Sequence, residues 1–209
     1  MMRIRLLTVT AFAAALAVSA ATAQQQQTQT HRVSGTIERV DGNTIYGKAS
    51  DGNAITLKLA DNAAITAVLK AAFADIKPGD YVGTGAVPQA DGSQKAVELR
   101  IFPKPQADGG HFYDGWYGAP NGTMTNGFVQ PTGTVAATLG GGEPSIVVKY
   151  PQGEKRIVIP ATAHVVRNVF GSKDDLKAGA AFRAQAAKQP DGTYTAAAVN
   201  VGRDGARPF

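Results

Sequence analysis

Three histidines and no cysteine narrow the metal and nucleophile chemistry open to this 209-residue chain. One histidine stands in company. His111, Phe112, Tyr113, Asp114, Trp116 and Tyr117 fall within seven positions, and Trp116 is the chain's only tryptophan. Large rings beside an imidazole and a carboxylate can stack on, and hydrogen-bond to, a sugar, a peptide or a metal-bearing ligand. We take His111, Tyr113, Asp114 and Trp116 as candidate ligand-binding residues on that ground. The same composition also suits a joint in which the rings pack between two domains and fix their angle. Both readings stay open at the level of sequence.

The remaining candidates thin out quickly. His31 and His164 have no second ligand at helical or hairpin spacing, whereas a zinc site needs several His or Cys ligands. Asp41-Gly42-Asn43 and Asp51-Gly52-Asn53 are too short for a calcium loop and read as hairpin turns. There is no Gly-x-Ser-x-Gly elbow, no His-Glu-x-x-His helix and no phosphate loop ending in Gly-Lys-Ser/Thr. We therefore expect no catalytic residue, no metal and no cofactor.

The elements that must position these residues come from one unit used twice. From Leu59 onward the chain matches itself one hundred positions later without a gap. Asp75, Lys77 and Gly79 meet Asp175, Lys177 and Gly179, and Gln89, Asp91 and Gly92 meet Gln189, Asp191 and Gly192. Gly35-Thr36-Ile37 recurs as Gly133-Thr134-Val135. Apolar residues alternate with polar ones at Ile55, Leu57 and Leu59, and again at Val97, Leu99 and Ile101. That period of two predicts half-buried strands, and the Asp-Gly pairs predict tight turns between them. Leu69, Ala72, Phe73 and Ile76 have helical spacing, so a short helix is expected between the third and fourth strands.

The expected fold is thus all-β: two tandem small OB-like five-stranded β-barrels, each with a short helix between strands 3 and 4. The divisions are a signal peptide at 1–23, a disordered polar leader at 24–30, unit 1 at 31–102, an aromatic, glycine-rich linker at 103–127, unit 2 at 128–204 and a tail at 205–209. Arg3 and Arg5, the apolar stretch after them and Ala21-Thr22-Ala23 carry the signal-peptide reading. Without those arginines nineteen basic residues face sixteen acidic ones, a mild excess that does not call for nucleic acid. No later segment is apolar enough for a membrane helix.

Gly-Thr-Ile, Asp-Gly, an apolar strand, Leu/Ile-Lys-x-Gly and a late Asp-Gly…Ala together resemble the bacterial exported domain of unknown function 5666, in two tandem copies. Gly110-His111 and Thr123-Met124-Thr125-Asn126 are similar to the linker of two-unit relatives, with Tyr113 where tryptophan is expected before Asp114. Such relatives are sometimes labelled metal ABC transporter permeases, a role that the lack of membrane helices excludes. The resemblance implies export and an OB-like barrel, but no reaction. We expect an exported periplasmic, non-enzymatic binding or structural module, partnered by an envelope component and not inserted in a membrane. The alternatives are metal or small-ligand binding at the linker, and polyanion or oligosaccharide binding by the barrels.

Overall fold

The computed structural model describes residues 30–49, 51–103, 111–116, 118–131 and 142–208, with the backbone alone for 111–116. The expected signal peptide lies outside these residues, as do all of the leader except Thr30, Tyr117 and Gly133-Thr134-Val135. The chain is all-β, as expected. Among the described residues its strands are β1 (Thr30–Asp41), β2 (Thr44–Ala49), β3 (Ala54–Lys70), β4 (Tyr81–Pro88), β5 (Gln94–Ile101), β6 (His111–Trp116), β7 (Gly122–Val129), β8 (Ser145–Tyr150), β9 (Gly153–Val158), β10 (His164–Phe170), β11 (Ala181–Lys188) and β12 (Tyr194–Gly202).

Local sequence explains most of these strands. Ile55, Leu57 and Leu59 are buried while Lys58 and Ala60 are exposed, so β3 turns one face to a core. Gly42, Gly52, Gly92 and Gly192 all have positive φ, which the Asp-Gly hairpins require. β3 runs unbroken for 17 residues, whereas its counterpart in the second half is split into β9 and β10. Pro160 stands where β3 has Ala60 and lacks the N–H a strand needs.

Two closed rings result. In the first, β1 pairs with β2, β2 with β3, β3 in parallel with β12, β12 with β11, and β11 with β1. In the second, β7 pairs with β8, β8 with β9, β9 in parallel with β5, β5 with β4, and β4 with β7. Each five-stranded barrel therefore draws strands from both halves of the chain. The cores follow the rings. Ile37, Ile45 and Leu57 pack with Phe182, Val199 and Val201 in one, and Val82, Leu99 and Ile101 pack with Ile146, Val148 and Ile157 in the other. Neither 31–102 nor 128–204 encloses a core of its own.

The barrels are joined where β3 and β10 pair antiparallel, Thr66 to Lys70 against Phe170 to Val166. The helical spacing begins at Leu69, within the Thr66–Lys70 stretch. That stretch is strand instead, and only Phe73–Asp75 forms a single 3-10 turn, as Lys173–Asp175 does in the second half. The reason is burial: Ala67 and Val68 are both enclosed, so this stretch lacks the polar-apolar alternation of a half-buried strand. The 103–127 stretch also differs from a linker. It contains β6, and Gly122 to Gly127 belong to β7, a wall of the second barrel.

Candidate functional site

β7 explains how the aromatic segment is held. On one side it pairs with β4 along Thr123–Phe128. On the other, β8 covers only Phe128 and Val129, and β6 covers the rest: His111 pairs with Asn126, Phe112 with Thr125, Tyr113 with Met124, Asp114 with Thr123 and Trp116 with Gly122. The candidate residues His111, Tyr113, Asp114 and Trp116 thus share one strand, with an irregularity between Asp114 and Trp116. Their side chains lie outside the described residues.

Next to β6, one end of the second barrel's interior is polar. Val129, Thr125 and Thr123 alternate along β7 on the face that carries Val129 into the core, and Val82, Thr84 and Ala86 do the same on β4. Thr84, Thr123 and Thr125 are at most 1% exposed, and Gln94 is 3% exposed. The Thr123 hydroxyl donates to Gln94 Oε1 at 2.6 Å, and the Thr84 hydroxyl donates to the Thr125 carbonyl at 3.3 Å. Thr125 Oγ1 is buried and has no hydrogen-bond partner among the described residues. A hydroxyl in that position costs free energy unless something pairs with it.

The first barrel differs at the buried threonine pair. Thr84 pairs with Thr125 across β4 and β7, whereas the equivalent pair across β11 and β1 is Ala184 with Val33. Tyr194 stands where Gln94 does. No family model, curated protein or solved structure matches this chain. The comparison between its own two barrels is therefore the sharpest guide to a site. It marks the end of the second barrel where Thr84, Gln94, Thr123 and Thr125 face inward and β6 closes the wall.

Sequence reasoning found β6 by its aromatics but missed the four polar residues next to it. Thr84 against Ala184 and Gln94 against Tyr194 were readable in the hundred-residue register. Thr123 and Thr125 were hidden because the first strand of the second unit had been matched at Gly133. The structure places Gly127 there instead: the Ile37 N–H donates to the Ala180 carbonyl as the Val129 N–H does to that of Asp80.

The other histidines are elsewhere. His31 is exposed near the start of β1, and His164 opens β10 beside Glu98 of β5. Although solvent reaches His164, partial desolvation and then the Arg100 guanidinium hold its imidazole below the usual range, so it is neutral at pH 7. Among the described residues, no three His, Asp or Glu groups come together to hold a metal, and no helix could cross a membrane.

Proposed function

We propose that this chain is an exported periplasmic, non-enzymatic module of the domain of unknown function 5666 type that binds an envelope component. The ring order, with the parallel strand closing beside the third, supports reading the two barrels as OB-like. The observation that carries the proposal is the polar inner end of the second barrel, walled by a strand made from the segment between the repeats. In the other barrel Ala184 and Val33 replace the buried pair Thr84 and Thr125, so this end is where the two barrels differ in a way that core packing alone does not call for. The polar layer offers hydroxyl and amide groups, which suit a small neutral polar ligand or one sugar residue of a larger chain.

The test is a thermal-shift screen of the mature protein with envelope oligosaccharides, short peptides and divalent ions. A ligand present at one hundred times its dissociation constant stabilises the folded state by about 2.7 kcal/mol, roughly 5–10 °C for a chain of this size. The shift should vanish in the Thr84→Ala/Gln94→Ala variant and persist in a Lys188→Ala control. Turnover of a substrate that a point substitution abolishes would replace this reading with an enzymatic one.

A further inference from the structure

The two barrels differ in a second way, at the strand edge that β6 covers. β1 pairs with β2 only from Gly35 onward, and its first residues, Thr30–Ser34, pair on the other side with β11. In the second barrel the equivalent stretch of β7 is covered by β6. Among the described residues no strand takes that place beside β1. Two adjoining grooves lie there instead, of 530 and 400 Å³, which share Ser34 and Ala49.

Backbone phase shows what the edge offers. Ile37 sends its N–H to Ala180 and receives the Gly179 N–H at its carbonyl, both on the β11 side. Successive residues of a strand alternate sides, so Thr36 and Ser34 point the opposite way. Thr36 meets Lys48 of β2, but Ser34 has no strand partner there. Asn126, the residue equivalent to Ser34, meets His111 of β6. Lys48 and Arg207 line the larger groove, and no Asp or Glu side chain among the described residues does. Asp51 in the smaller one is turned to its own hairpin, accepting the Asn53 N–H at 3.0 Å and Asn53 Nδ2 at 2.8 Å.

We propose that this edge of the first barrel binds an extended acidic peptide of a partner protein, added beside Thr30–Ser34 as a further antiparallel strand. Strand addition supplies affinity through main-chain hydrogen bonds, and Lys48 and Arg207 select for carboxylates. A second copy of this chain is the poorer occupant. Antiparallel pairing of this edge with itself centres on Arg32 and sets two guanidiniums opposite each other. The inference is independent of the polar site in the second barrel.

Fluorescence anisotropy of the mature chain with a labelled six-residue peptide, Glu-Val-Tyr-Asp-Val-Glu, tests it. Three companions are needed: the same peptide N-methylated at alternate residues, its lysine counterpart, and a heparin fragment as competitor. The acidic peptide should bind more weakly as salt rises, and N-methylation should weaken it by about tenfold through lost backbone bonds. Lys48→Glu/Arg207→Glu, both on the surface, should weaken it further, while the lysine peptide stays unbound. Equal binding of the N-methylated peptide, equal competition by heparin, or no binding at millimolar peptide would each overturn the proposal.

Discussion

Val68 and Asn168, one hundred positions apart in the sequence, sit directly opposite each other where β3 and β10 pair. The surrounding pairs repeat with the same exchange: Val199 lies beside Ile65 as Leu99 lies beside Val165. The strand pairing is therefore pseudo-twofold, and Val68 with Asn168 marks its axis. Each barrel takes three strand segments from one half and two strands from the other, much as two chains do when they exchange identical elements.

This arrangement makes the halves interdependent. A fragment ending at Pro103 keeps β1 to β5 but loses Phe182, Val199 and Val201 from the core around Leu57. It should be unfolded at low concentration, and at high concentration should fold only as a dimer in which a second copy supplies β4 and β5. Light scattering with far- and near-ultraviolet circular dichroism across a dilution series checks this. A folded monomer of either half would sink the interlocked arrangement.

How far the sequence could be read follows from the same geometry. Period-two alternation in β3 and β5 and the Asp-Gly turns record which face a strand buries and where it ends, and these are local properties. Which copy of the fourth and fifth strands closes a ring is not local. β4 and β11 carry the same pattern, so either fits beside β1, and only the path through Ala71–Asp80 separates the two choices. The helical spacing from Leu69 to Ile76 corresponds only to the short Phe73–Asp75 turn, for a related reason. A doubly buried strand such as Ala67-Val68 has no alternation, and apolar residues three and four apart then mimic a helix. The candidate site was half legible. Aromatic composition singled out β6, but the buried threonines look like ordinary strand residues until the two barrels are laid over each other.

Thr125 offers the clearest single substitution. Its hydroxyl is buried with no partner among the described residues, and Val33 fills the equivalent position in the first barrel. Thr125→Val keeps the shape and removes the desolvated oxygen, so it should stabilise the chain by about 1 kcal/mol. Urea unfolding at pH 7 reads this as a higher midpoint with an unchanged slope. A lower midpoint would mean that the hydroxyl is paired in solution, by water or by a ligand carried through purification.

Phe182 tests the exchange of strands by a different route. It is 1% exposed, and its ring stands where a side chain at Gly47 would be: an added Cβ there lies 2.7 Å from Phe182 Cε1. Phe182→Ala should cost about 3–5 kcal/mol, the usual range for an emptied phenylalanine site. Hydrogen exchange should show the largest loss of protection in β1, β2 and β3, although the substitution is in the second half of the sequence. Loss confined to residues 128–204 would contradict the core assignment.

Asp175 and Arg203 supply a pH-dependent contribution. Arg203 Nε donates to Asp175 Oδ1 at 2.8 Å and Nη2 to Oδ2 at 3.1 Å, while the Ser172 N–H also reaches the carboxylate at 2.9 Å. The Arg203 hydrogen bonds are the largest cause holding Asp175 below the usual carboxylate range; desolvation opposes them and the Ser172 N–H adds to them. A carboxylate whose folded pKa is depressed stabilises the fold fully above its unfolded value, and the stabilisation is lost as pH falls through the folded one. Asp175→Asn should therefore lower the melting temperature at pH 7. The gap from the unsubstituted chain should close steadily below pH 4, about where an unfolded aspartate protonates. A gap that stays constant from pH 7 down to pH 2 would assign the effect to packing around the Ser172 turn, with no part played by the charge on Asp175.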